Sequence, residues 1–258
     1  MSGNAIANAA ALLDDAAANA QAVDQFAPGS FDLADAYRIQ RASIQRRVAR
    51  GDGIKGIKLG FTSRAKMIQM GVDSLIWGWL TETMIEEEGG TVDLSRYIHP
   101  RVEPEVCFLT RRTIDRPITA LEAADYVEAV APALEIIDSR YRNFKFTLED
   151  VVADNCSSAG LVVGPWSRRF EGLGNAGVGV TVNGRLVLSG STAAILGHPL
   201  RTLVQASRLL SSCERSLPAG SLVMAGAATA AHALTPGAHI RCDINGLDRV
   251  EFFTGAAS

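Results

Sequence analysis

Residues 101–110, RVEPEVCFLT, and residues 133–138, ALEIID, read as two strands that set the architecture. In the first, Glu103 and Glu105 stand two residues apart among Val102, Val106 and Phe108, the period-two alternation of a strand. The second is a short apolar run with one carboxylate, Glu135, and reads as a buried strand. Two carboxylates on one strand face lie roughly 7 Å or less apart, so they repel unless solvent, a shifted pKa or a cation intervenes. Oxygen-only ligands favour Mg²⁺ or Mn²⁺, with Glu135 as a third ligand; the alternative is an exposed strand face.

Upstream, IKGIKLGFT (54–62) has the same period, with Ile57, Leu59 and Phe61 on one face and Gly56, Lys58 and Gly60 on the other. Flanking glycines leave a concavity in which Lys58 would meet an anion or carbonyl, so it is expected near the substrate and not as a fold element. A surface lysine on an edge strand is the alternative. Before it come an Ala-rich helix over 3–20 and a helix with Leu33, Tyr37, Ile44 and Val48 on one face, ended by Gly51. Ser63 is expected to cap a short helix through Met70.

Downstream, Thr119 and Glu122 have the spacing of a capping box, predicting a helix to about Val130. Thr147 and Asp150 predict a second capped turn, followed by a strand at GLVVG (160–164). Asn183-Gly184 and Asn245-Gly246 predict hairpins, Pro236-Gly237 a turn, and residues 200–212 a lone helix in a largely antiparallel C-terminal half.

Other residues could carry chemistry. Arg140, Arg142 and Lys145 surround Tyr141, Phe144 and Phe146 in SRYRNFKF (139–146), which suits a carboxylate, a lid or a subunit contact. Ser157 and Ser158 in ADNCSSAG either donate to a ligand or cap a helix. The four histidines lack metal spacing, and no GxSxG, Walker or GxGxxG motif supports a triad hydrolase or a nucleotide enzyme.

Composition bounds the remainder. A net charge of −3 with 21% charged residues argues against nucleic-acid partners. The apolar run 222–231 is too short to span a bilayer, which takes about 20 residues. Asp14 and Asp15 interrupt any leader-like start, so a cytoplasmic protein with no membrane partner is expected. The four cysteines are scattered singly and read as reduced thiols.

Taken together, KLGFTSRAKMIQMGVDS (58–74), IHPRVEPEVCFLT (98–110), PALEIIDSRYRNFKF (132–146), VVADNCSSAG (151–160) and AAILGHPL (193–200) resemble the hydratase and decarboxylase family of meta-cleavage catabolism, within the fumarylacetoacetate hydrolase superfamily. The resemblance implies an α+β fold: a mixed β-sandwich roll with peripheral helices over residues 76–258, preceded by a helix-rich N-terminal region over 1–75. It implies Mg²⁺ or Mn²⁺ on Glu103, Glu105 and Glu135; a dianionic substrate beside that centre then needs cations, for which Lys58 and Arg140 are the catalytic candidates, with Ser157, Ser158 and Tyr141 as substrate contacts, while Asp73 and Asp138 fall in matching motifs, Asp138 either acting directly or orienting Arg140. SRYRNFKF is similar to the decarboxylase branch. The implied reaction is loss of C6 of 2-oxohex-3-enedioate, a small oxo-dicarboxylate, as CO₂ to leave 2-hydroxypenta-2,4-dienoate. The alternatives are a 2-hydroxypenta-2,4-dienoate hydratase and a non-catalytic partner of one. A homo-oligomer and a complex with a paralogous hydratase are the associations expected. Residues 225–229, AGAAT, depart from the family pattern, which puts a backbone contact to substrate at Ala227 in question.

Overall fold

The computed structural model describes residues 1–63, 67–68 and 74–255. In chain order the helices among them are α1 (Gly3–Ala18), α2 (Leu33–Ala49), α3 (Leu148–Ala153) and α4 (Arg201–Ser212). The strands are β1 (Ile54–Gly60), β2 (Ile76–Thr81), β3 (Ile85–Glu86), β4 (Thr91–Val92), β5 (Arg101–Thr110), β6 (Val127–Ile137) and β7 (Ser158–Val163). They continue with β8 (Gly177–Val182), β9 (Arg185–Ser191), β10 (Leu222–Ala227), β11 (His232–Ala233), β12 (His239–Ile244) and β13 (Arg249–Thr254). Most of the short helix expected from Ser63 lies outside the described residues, as does Asp73.

Two sheets form. The larger runs β2-β1-β10-β5-β6-β7-β3, with β11 added on β5, and the smaller runs β4-β13-β12-β8-β9. Most pairs are antiparallel, but β1 with β10, β3 with β7 and β4 with β13 are parallel, so both sheets are mixed. Between the sheets lies the main core, built from Val102, Val106 and Phe108 of β5 and Leu134 and Ile136 of β6 on one side. Val178, Val180, Ile240, Val250 and Phe252 face them from the small sheet.

The other face of the large sheet is also buried, because the sheet rolls up. Leu80 of β2, Cys107 of β5, Leu161 of β7 and Met224 of β10 pack together with Met84 inside the roll. Asn155 fastens the open side: its amide donates to the Trp79 carbonyl (2.9 Å) and its carbonyl accepts from Trp79 N–H (2.8 Å), in place of a strand ladder. Glycine is needed opposite, since a Cβ on Gly78 would sit 2.6 Å from the Asn155 carbonyl oxygen.

The helical part packs separately. Ile6, Ala10 and Leu13 of α1 meet Ala36 and Ile39 of α2 and Val151 and Val152 of α3. Gln40 crosses from α2 to donate to the carbonyls of Trp77 and Val152, both at 3.0 Å. Strand β1, though within the expected N-terminal region, is paired on both sides inside the large sheet. Among the described residues of that region, α1 and α2 stand outside the sheets.

The hairpin turns at Asn183-Gly184 and Asn245-Gly246 form as expected, and Thr147 and Asp150 make a reciprocal capping box on α3. The helix expected from Thr119 does not form. Glu122 does accept from Thr119 N–H (2.8 Å), but only a 3₁₀ turn over Ala123–Tyr126 follows. From Val127 the chain pairs with β5 instead, an instance of tertiary pairing overriding local propensity. No helix among the described residues is long and apolar enough to cross a membrane.

Candidate metal centre

Register builds the site. Strands β5 and β6 pair with Glu103 opposite Glu135 and Glu105 opposite Ala133, so three carboxylates share the inner face of the roll. One oxygen from each lies within 4.8 Å of the others. The exposures of Glu103, Glu105 and Glu135 are 5%, 1% and 0%. Lys58 reaches the same place from β1, its Nζ 3.1 Å from Glu135 Oε1 and its side chain 5% exposed.

Burial pushes the Glu105 carboxyl well above its usual range, and the Glu135 charge adds to the shift. Glu135 is likewise raised, first by burial, against the pull of Lys58. Burial opposes the charged form of Lys58, but Glu135, Cys156, Glu103 and Glu105 outweigh it, so its pKa lies above the ordinary lysine value. Glu105 Oε2 accepts from Gly226 N–H at 2.8 Å. That amide is aimed by a left-handed Gly226, φ 105°, within a register shift of β10 against β5. Among the described residues, Glu105 Oε1 and Glu135 Oε2 are buried without a hydrogen-bond donor, and Glu135 Oε1 has only the Lys58 ammonium beside it.

Such orphaned lone pairs are costly unless a cation takes them. Among the described residues, three ionised glutamates and one ammonium sum to −2, a charge that suits a divalent ion. Carboxylate oxygens are the ligands that Mg²⁺ and Mn²⁺ select, and three of them leave coordination positions open. The residues present therefore fit a hard divalent cation.

A cavity of about 600 Å³ opens over this floor and is lined by Lys58, Glu103, Phe61, Ile76, Phe146 and Ser157, among others. Ser157 is held with φ 58°, and its buried Oγ has no hydrogen-bond partner among the described residues.

The structure brings Lys58, the three glutamates and Ser157 together, and sends four other expected residues elsewhere. Arg140 is 2% exposed and committed to the fold. Its Nε pairs with Asp154, and its remaining nitrogens donate to the carbonyls of Asp138, Ser158 and Asp154. Asp138 accepts from the N–H groups of Ile98 and His99, both at 2.8 Å, fixing the approach to β5. Tyr141 is fully buried in the helical cluster, its hydroxyl donating to the Asp150 carbonyl at 3.2 Å. Ser158 is not among the residues that line this cavity, and its Oγ lies 3.9 Å from the Met84 sulfur. Lys58, expected to be no fold element, is a buried ion-pair partner. Sequence reasoning gave no role to Asn155, Asp154 or Arg101 and reached Gly226 only as part of the unusual AGAAT segment; Arg101 carried a further signal, lying two residues before Glu103 on the same strand face.

A rolled mixed sheet with three buried carboxylates and a lysine beneath a cavity defines a small-molecule enzyme site with a cradle for a hard divalent cation. The chain belongs to the fumarylacetoacetate hydrolase family: residues 69–252 match the model of the fumarylacetoacetate hydrolase C-terminal region. It is 51% identical over 250 residues, covering 96% of this chain and 98% of the relative, to a 4-oxalocrotonate decarboxylase from Pseudomonas sp. A 2-keto-4-pentenoate hydratase from Paraburkholderia xenovorans is 37% identical over 84% of this chain and 81% of its own length. The solved 4-oxalocrotonate decarboxylase from Pseudomonas putida G7, complexed with magnesium and adipate, matches with a TM-score of 0.95 at 35% identity, covering 98% of each chain. Family and fold agree with the expectation drawn from the motifs.

Proposed function

We propose that this chain decarboxylates 2-oxohex-3-enedioate to 2-hydroxypenta-2,4-dienoate and CO₂, with Mg²⁺ held by Glu103, Glu105 and Glu135. The observation that carries the reading is the register-matched acidic cluster, with Lys58 beside it, at the floor of a cavity large enough for a six-carbon acid. The 51% identity to a chain named for this reaction supports it. When bound, the metal supplies a Lewis acid for the oxo-acid end of the substrate.

The protein's own groups do the remaining work. Lys58 keeps its proton and faces the site as a cation, favouring the negative charge that develops on the C2 oxygen as C6 departs. The orphaned Ser157 hydroxyl supplies a donor to a carboxylate. Phe61, Ile76 and Phe146 line the walls and limit water, which would otherwise hydrate the dienol. Asp138 and Arg140 act as positioning residues, holding the chain at the ends of β5 and β6.

A second reading, a 2-hydroxypenta-2,4-dienoate hydratase with the same metal, draws on the hydratase relative. Supplying the diacid and the dienoate separately distinguishes the two. Rapid CO₂ release with little hydration is expected, whereas fast hydration without CO₂ would replace the decarboxylase reading. A homo-oligomer and a complex with a paralogous hydratase belong to the same proposal, and sedimentation of the chain alone and with such a hydratase tests both.

A further inference from the structure

The segment SRYRNFKF stands out for its cations and aromatics, yet Arg140 and Tyr141 are absorbed by the fold. Three of its later residues, Phe144, Lys145 and Phe146, line the cavity over the glutamates. Asn143 and Phe144 both have φ 58°, a left-handed conformation that is rare for side chains larger than glycine, and rarest for a bulky ring. Strained backbone of this kind persists where surrounding structure fixes it, and it clusters at ligand sites. Here it places the Phe144 ring 4.5 Å from the guanidinium carbon of Arg101, with the His99 ring 5.1 Å away on its other contacts.

Arg101 begins β5 and shares a strand face with Glu103 and Glu105. Two residues advance a strand by roughly 6.8 Å, so Arg101 stands about one such step outward from Glu103 along the cavity wall. That step is on the scale of a six-carbon chain. Both Arg101 and Lys145 are exposed, and neither has a carboxylate within ion-pair distance among the described residues. The floor is thus anionic and ready for a metal, while the rim carries two unneutralised cations.

We propose that Arg101 and Lys145 form the subsite for the second carboxylate of an oxo-dicarboxylate, with Phe144 holding the guanidinium plane. The proposal rests on the decarboxylase reading above. A guanidinium stacked on a ring keeps its edge N–H groups free to meet a carboxylate in bidentate fashion. Solvent screens a pair at the rim, so the carboxylate is oriented without being clamped. As the C5–C6 bond breaks, its electron pair moves through the conjugated chain to the C2 oxygen. The carboxylate leaves as neutral CO₂ and loses its attraction to both cations, and the enolate takes one proton from water. An interaction present with the ground state and lost on the way to product raises affinity more than turnover.

Calorimetric titration of 2-oxoadipate and 2-oxohexanoate into the protein with Mg²⁺ tests the subsite, because the two acids share an oxo-acid head and differ in the distal carboxylate. Wild type is expected to bind the diacid at least about tenfold more tightly, equivalent to about 1.4 kcal/mol. Arg101→Gln with Lys145→Gln should bring the two affinities to near parity, leave 2-oxohexanoate binding unchanged, and raise KM for the substrate more than it lowers kcat. Arg101→Lys should recover part of the preference. Retained diacid preference in the double variant, or equal affinities in wild type, would overturn the subsite while leaving the decarboxylase reading standing. Failure of wild type to bind either oxo acid with Mg²⁺ would overturn that reading, and the subsite with it.

Discussion

Replacing Lys58 by Met removes the ammonium while keeping most of the side-chain volume. In the metal-free protein it strips Glu135 of a partner 3.1 Å away, at a position with 5% exposure on one side and 0% on the other. Breaking a buried pair by removing one member typically costs about 3–5 kcal/mol. Part is recovered because Glu135 can take up a proton, worth about 1.4 kcal/mol for each unit its pKa rises. A net loss of roughly 2–4 kcal/mol, at about 2–4 °C per kcal/mol for a chain of this size, lowers Tm by roughly 4–16 °C. Thermal unfolding of chelated wild type and Lys58→Met, each repeated with saturating Mg²⁺, measures this directly. With one competing positive charge removed, Mg²⁺ affinity should hold or rise even as turnover falls. A chelated variant melting within about 1 °C of wild type, well below that range, would refute the ion-pair argument.

Three other outcomes follow from the same geometry. Arg140→Ala should destabilise by about 3–5 kcal/mol, because it leaves the buried Asp154 unpaired, while folded molecules at low temperature keep wild-type Mg²⁺ affinity by calorimetry; normal stability with lost activity would return Arg140 to the substrate. Gly226→Ala should cost roughly 2–5 kcal/mol, from left-handed backbone strain plus overpacking, since its Cβ would lie 2.0 Å from Thr62 Oγ1; an unchanged Tm and Mg²⁺ affinity would contradict this. For pH, Glu105 and Glu135 are raised in the fold, so their contribution to metal-free stability is full below the unfolded glutamate pKa and is lost as pH rises through the folded values. Glu105→Gln should accordingly lose less metal-free stability than wild type as pH rises above the unfolded glutamate range, and wild-type Mg²⁺ affinity should climb over the same rise as protons are displaced; parallel stability curves or a flat metal affinity would count against the raised carboxyls.

How much could be read in advance depended on how local the information was. The strand period placed Glu103 and Glu105 on one face, and the hairpins at Asn183-Gly184 and Asn245-Gly246 needed only neighbouring residues. Glu135 joined the cluster through the β5–β6 register, which the sequence suggested only by the paired apolar runs. Arg140 shows the limit. It lies just beyond the end of β6, where a turn can send a side chain to either side, and the partner that claims it, Asp154, is fourteen residues on. Asn155, Cys156 and Ser157 adopt left-handed backbone one after another to close the roll, which nothing in their residue types announces. Residues 119–130 carry helix-forming side chains, but β5 offers ten residues of pairing and the longer-range choice prevails.

In the proposed reaction, three register-matched glutamates hold the cation on which decarboxylation depends. The most direct test follows CO₂ release from 2-oxohex-3-enedioate by chelated protein during a Mg²⁺ titration, with wild type and Glu135→Gln in parallel. Wild type should go from no turnover to full turnover at one Mg²⁺ per chain, while Glu135→Gln, folded by its melting curve, should need far more metal or remain inactive. CO₂ release by the chelated wild type, or an identical Mg²⁺ dependence in Glu135→Gln, would contradict this.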